Sequence, residues 1–178
     1  MVDYQGIIDK YYVNDSRLRA ILMTHSRLVA DKALEIGRRL EGVDLEFVEE
    51  AAMLHDIGII RCDAPEICCH GDLPYICHGI EGRKILESEG LPRHALVCER
   101  HTGSGLTVDD IITQHLPLPH RDMTPQSIEE KLICYADKFF SKSGDITKEK
   151  PIEKVIKSME RHGQNTLLRF MALHKLFS

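Results

Sequence analysis

At 178 residues the chain can fill one hydrophobic core and is short for two. A hydrophobic fraction of 43% fits an ordinary soluble domain, and a net charge of −5 with both signs interspersed argues against a nucleic-acid-binding surface. No apolar run reaches membrane-spanning length and Met1–Tyr12 is too polar for a signal peptide, so the expectation is a cytoplasmic protein with no membrane partner.

The elements read as helices nearly throughout. After Asn14–Asp15, apolar residues and His25 recur at three- and four-residue steps from Leu18 to Leu40, which predicts an amphipathic helix of about seven turns. Asp44 can cap a second helix running from Leu45 to about Asp56, with Gly58 as its stop. Residues 59–77 lose periodicity and read as a long loop. A helix resumes at His78 and closes at Gly90, and Pro92 suits the first turn of the next, which runs to about Thr102. Thr107 and Asp110 resemble a capping box for a short helix to about His115. Leu116–Met123 is a loop, and Thr124-Pro125 opens a strong helix through Phe139. The polar stretch Ser141–Lys150 then leads to two closing helices separated near Gly163. No window alternates long enough to make a strand. The expected fold is an all-α, single-domain helical bundle over residues 1–178, its core at about 20–142 and the helices of 151–177 packed on it.

The oddity is where the polar residues fall. His25 follows Ile21 by four and precedes Leu28 by three, so it faces the core; a lone histidine there usually reads as a satisfied core residue. His55 and Asp56 are adjacent at a helix C-terminus, about 100° apart around the axis. Asp56 is poorly placed against the negative end of the helix dipole unless a cation relieves it. Asp137 follows Ile133 by four inside the most apolar helix, His78 opens a helix, and His101 follows Val97 by four. Burying a carboxylate without a partner costs several kcal/mol, and an unpaired polar group about 1–3 kcal/mol. Four imidazoles and two carboxylates on buried faces therefore point jointly to a metal centre.

With these residues the chain resembles the HD superfamily of metal-dependent phosphohydrolases. It has a histidine on a long helix, the doublet in Leu54-His55-Asp56-Ile57-Gly58, and a distant Ala136-Asp137. The histidines of His78-Gly79 and His101-Thr102-Gly103 are similar to those of its six-ligand, dinuclear branch, which includes bacterial hydrolases of dinucleoside tetraphosphates. Many relatives carry lysine after the His-Asp-x-Gly run where this chain has Ile59, with Arg61 the nearest cation. A Gly-Tyr-Pro signature is missing, which disfavours the cyclic-dinucleotide branch.

The resemblance implies that His25, His55, Asp56 and Asp137 hold one ion and that Asp56, His78 and His101 hold a second, with Asp56 bridging as the central catalytic group. It implies hydrolysis of a phosphomonoester or phosphoanhydride of a nucleotide or related small metabolite by a hydroxide between the ions. The nitrogen-rich donors disfavour Mg²⁺ and suit two divalent transition-metal ions, iron or manganese first, with zinc, nickel or cobalt compatible. Substrate contacts are expected from Arg61, Thr102, Lys138, Lys142, His120 and Arg121, whereas Arg83 reads as a surface charge.

Cys62, Cys68, Cys69, His70 and Cys77 lack paired Cys-x-x-Cys spacing, so a lid with free thiols is expected in place of a separate zinc site. Cys98 and Cys134 read as inert core residues. The wide apolar arc of the closing helices predicts either core completion or a homodimer surface. Two competing expectations are a non-catalytic module that keeps the fold to bind metal or nucleotide, and a mononuclear nucleotidase that uses only the first four ligands.

Overall fold

The computed structural model describes residues 1–13 and 16–178; Asn14–Asp15, read as the lead-in to the first long helix, lie outside the described residues. Helices α1 (Tyr4–Tyr11), α2 (Arg17–Gly37) and α3 (Leu45–Leu54) are followed by a 3-10 turn at Ile57–Arg61. Three short strands come next, β1 (Cys62–Ala64), β2 (Cys69–His70) and β3 (Leu73–Pro74). The chain closes with α4 (His78–Ser88), α5 (Pro92–Arg100), α6 (Val108–Thr113), α7 (Ile128–Asp137), α8 (Ile152–Arg161) and α9 (Gln164–Phe177). The fold is all-α apart from the small sheet. Among the described residues no helix is long and apolar enough to cross a membrane.

The caps explain where the helices begin. Ser16 accepts from the Arg19 amide, Asp44 from Phe47 and Ser127 from Glu130, each satisfying an otherwise orphaned first-turn N–H. Thr107 and Asp110 form the full reciprocal box on α6. The α2 face carrying Leu22, His25, Val29 and Ala33 is buried against α3 and α7, which together make the centre of the bundle. On the closing helix, Phe170, Leu173 and Phe177 enter the same core, while Leu168, Met171 and Leu176 stay exposed on the opposite face.

The segment between α3 and α4 departs from the expected loop. Residues 59–77 hold a three-stranded sheet of order β2-β1-β3, with Asp63 opposite His70 in the antiparallel pair and Cys62 opposite Leu73 in the parallel one. Strands of two or three residues are too short to show an alternating pattern. Ala64, Ile67 and Cys69 pack with Ile8, Tyr12 and Ile57 in a second apolar cluster, so the segment is a packed scaffold and not a lid. Helix α1 packs on the same cluster, with Ile8 and the following Tyr12 buried in it.

Gly58 also has a different role from a helix stop. A Cβ there would lie 2.1 Å from the His78 carbonyl oxygen and 2.3 Å from the Gly82 amide nitrogen. Only glycine lets the turn after the His55–Asp56 doublet touch the start of α4. That contact sets the distance between the doublet and His78.

Candidate metal centre

Six side chains from five separate places in the fold meet at one buried point. His25 comes from the middle of α2, His55 and Asp56 from the end of α3, His78 from the start of α4, His101 from the end of α5 and Asp137 from the end of α7. His25, His55, Asp56 and Asp137 form one group of ligand atoms within 4.8 Å of one another, and Asp56, His78 and His101 form a second. Asp56 belongs to both. Its Oδ2 lies 3.2 Å from His25 Nε2 and 3.1 Å from His55 Nε2, while its Oδ1 lies 3.5 Å from His78 Nε2 and 3.3 Å from His101 Nε2. Asp137 Oδ1 completes the first group at 2.9 Å from His25 Nε2 and 3.4 Å from His55 Nε2.

Local structure aims the imidazoles. The Nδ1 atoms of His55, His78 and His101 bond the carbonyls three residues back, those of Ala52, Tyr75 and Cys98, at 2.6, 2.7 and 2.8 Å. A carbonyl only accepts, so Nδ1 must carry the proton and Nε2 is left as a lone pair pointing inward in the neutral ring. This is how metal-binding histidines are oriented by their surroundings. Tyr75 also stacks on the His78 ring, with centroids 4.6 Å apart.

The donor set fits metal ions. His55 Nε2 and Asp56 Oδ1 are buried without a hydrogen bond of normal geometry, an arrangement that costs about 1–3 kcal/mol per group if nothing compensates it. His78 Nε2 and His101 Nε2 face each other at 3.1 Å, two lone pairs in contact where neutral rings would repel. Separations near 3 Å are what neighbouring donors adopt around one ion with bonds of about 2.1 Å.

Charge is distributed accordingly. Burial alone would raise the pKa of Asp56, but Lys142 and the surrounding imidazoles hold it well below the usual carboxylate range. The same contest at Asp137 is won by Lys138, His25 and His55. Burial pulls His78 down to about 3 and lowers His101 as well, which keeps both rings neutral. At His55 the pull of burial is overcome by Asp56 and Asp137, raising it to about 9, so that without an ion this ring carries a second proton on Nε2 facing the two carboxylates, which a metal would displace.

Of the expected substrate contacts, three adjoin the cluster. Lys142 Nζ is 2.6 Å from Asp56 Oδ2, and Lys138 Nζ is 2.6 Å from Asp137 Oδ2 and 3.1 Å from the His101 carbonyl. Thr102 borders the cleft that opens at His78. The other three lie elsewhere. Arg61 is exposed and lines a separate depression with Asp72, Glu81 and Lys84. Arg121 is bound by buried Glu99, which also pairs with Arg83, and His120 is exposed on the loop before it. Arg83 is therefore a structural partner and not a free surface charge. Tyr75 and Tyr12 carry no signal in the sequence because they sit where it has no periodicity. Tyr12 OH donates to the Ile57 carbonyl and accepts from the Ile60 amide, fixing the turn after the doublet.

Among the described residues no cysteine joins a metal-ligating group, and the thiols of Cys62, Cys69 and Cys134 are pushed by burial up to about 12, 11 and 11. They are packing residues.

A helical bundle with a His-Asp doublet between two imidazole groups defines a metal-site protein of one class. The HD domain profile matches residues 22–141, and the chain belongs to the HD domain family. It is 34% identical to an uncharacterized protein, MJ0778, of Methanocaldococcus jannaschii, over 81% of this chain and 79% of that one. It is also similar to two proteins named tRNA (cytidine(56)-2′-O)-methyltransferase. The one from Thermoplasma volcanium is 29% identical over 99% of this chain, and the one from Picrophilus torridus 31% over 76%. The chain spans only 47% and 35% of those two proteins. No solved structure matches.

Proposed function

We propose that the protein is a metal-dependent phosphohydrolase that cleaves a phosphate ester or anhydride of a nucleotide or related small metabolite at a two-ion centre. The observation that carries this reading is the division of Asp56, with one carboxylate oxygen facing His25 and His55 and the other facing His78 and His101. A purely structural carboxylate has no need of two separate imidazole groups. When bound, two divalent ions supply Lewis acidity and activate water. Four nitrogen donors beside two carboxylates favour iron, manganese, cobalt, nickel or zinc over magnesium.

The protein's own groups do the rest. Lys138 and Lys142 offer ammonium charge to phosphoryl oxygens, and Thr102 offers a hydroxyl donor at the edge of the cleft. The backbone carbonyls of Ala52, Tyr75 and Cys98 keep the imidazoles in one tautomer. Burial of every ligand side chain keeps bulk water from competing with these contacts.

The test is metal content and phosphate release on the purified chain. With Mn²⁺ or Fe²⁺ it should release phosphate from at least one nucleotide, and Asp56→Ala should lower turnover by at least about a hundredfold. A folded protein that binds no metal would favour the non-catalytic module instead.

A further inference from the structure

A cleft of about 350 Å³ opens beside His78. His78, Thr102 and the Lys138 ammonium line it on the side of the metal cluster. Its walls are apolar, made by Ile76, Leu106, Leu116 and Met159. Gln114 and His162, both exposed, stand at its mouth.

Four properties restrict what fits. Ligand pockets span about 300–1,000 Å³, so this one is at the small end and suits one nucleoside-sized group, not two. Among the described residues Lys138, on the side of the cluster, is the one lysine or arginine that lines it, so a polyphosphate chain extending into the cleft would find no further cation there. No aspartate or glutamate among the described residues lines it either, so a cationic head group has no counter-charge. Apolar walls with an amide and an imidazole at the mouth suit a flat neutral ring with polar edges.

We infer that this cleft holds the organic half of a phosphomonoester of single-nucleoside size, and that Met159, Gln114 and His162 set the selectivity for it. The inference rests on the hydrolase reading for the position of the phosphate. Met159 lies in α8 and His162 caps it, both beyond residue 141 where the family match ends. Selectivity is thus supplied largely from outside the shared segment. In the reaction, water adds to phosphorus and the bond from phosphorus to the organic oxygen breaks. The leaving oxygen takes up a proton that originates in the water, giving an alcohol and inorganic phosphate.

The test compares adenosine and cytidine 5′-monophosphates with p-nitrophenyl phosphate and diadenosine tetraphosphate on the Mn²⁺-loaded full chain. One of the mononucleotides should exceed p-nitrophenyl phosphate in kcat/KM by about tenfold or more, and the tetraphosphate should be the poorest substrate. His162→Ala and Gln114→Ala, both at exposed positions that tolerate change, should each cut the mononucleotide preference about fivefold through KM. Because the chain has no tryptophan, His162→Trp also provides a lone fluorophore at the mouth. Adenosine or cytidine, neither of which can be hydrolysed, should quench it. Hydrolysis of p-nitrophenyl phosphate without quenching, and with no change of preference in the two alanine variants, overturns the cleft assignment and leaves the hydrolase reading standing. Preference for the tetraphosphate overturns it too. Quenching with no hydrolysis of any ester keeps the cleft as a nucleoside site and removes the hydrolase reading.

Discussion

Lys142 Nζ stands 2.6 Å from Asp56 Oδ2, where the lysine is mostly buried and the carboxylate completely so. The ammonium compensates the one carboxylate shared by both imidazole groups. Breaking a buried pair by removing one partner costs about 3–5 kcal/mol. Lys142→Met should therefore destabilise the metal-free protein by that order in urea denaturation. Saturating Mn²⁺ should shrink the loss markedly, because the ions then compensate Asp56. An equal loss with and without metal would show that Lys142 acts only through packing.

The two groups sharing Asp56 should separate under substitution. His78→Ala and His101→Ala each remove a ligand of the second group alone, so metal analysis should find about one ion per chain in place of about two. His25→Ala should weaken the first group in the same way. Hydrolysis that survives His78→Ala nearly intact would assign the chemistry to the first group by itself and support the mononuclear alternative.

Gly58→Ala is a test of the scaffold. The added methyl would meet the His78 carbonyl oxygen at 2.1 Å and the Gly82 amide nitrogen at 2.3 Å, both backbone atoms that cannot swing aside. The turn and α4 must part, which carries His78 away from Asp56. Overpacking of this kind costs about 1–3 kcal/mol, and calorimetry should show weaker binding of the second ion than of the first. Stability and both affinities matching wild type would mean that the close approach is not needed.

How far the residues alone could lead depends on the kind of signal each carries. Of the six residues that converge, His25 stands out because it is polar at apolar spacing between Ile21 and Leu28, and Asp137 because it follows Ile133 by four, whereas His78 opens its helix and is marked mainly by the family resemblance. Helix starts at Asp44 and Thr107 were readable because a cap is a local rule. Direction is not local. Arg61 and Arg121 lie close in sequence to cleft or ligand residues, yet one faces a separate depression and the other is bound by Glu99, 22 positions away. The strands at 62–74 are too short for a period to show, and Tyr75 gains its place on His78 only from the tertiary path of that segment. Gly58 looked like a helix terminator because the helix does end near it, while the reason for glycine is the contact with α4.

Tyr12 should report on the turn after the doublet. Its hydroxyl makes two bonds there, to the Ile57 carbonyl at 2.7 Å and from the Ile60 amide at 3.3 Å. Tyr12→Phe keeps the ring and leaves both backbone groups short of a partner, a loss of about 1–3 kcal/mol. Hydrogen exchange of the Ile60 amide should quicken more than that of amides in α9. Uniform acceleration across the chain would mean that the hydroxyl stabilises the fold globally and does not fix this turn.

Asp110 gives the acid limb of stability a specific source. Burial would raise its pKa, but the Thr107 backbone and hydroxyl together with the Arg169 guanidinium lower it below the ordinary aspartate value. A folded-state pKa below the unfolded one means that the unfolded chain takes up the proton first as pH falls. The stabilisation is therefore complete above the unfolded value of about 4 and declines as pH drops through the folded value. Asp110→Asn should cost about 1 kcal/mol at pH 7, the usual worth of such a cap. The gap between wild type and variant should narrow when denaturation is repeated below about pH 4. A gap that stays constant from pH 7 to pH 3 would show that the carboxylate's charge contributes nothing, and that the cost comes from poorer hydrogen bonds of the amide at the α6 terminus.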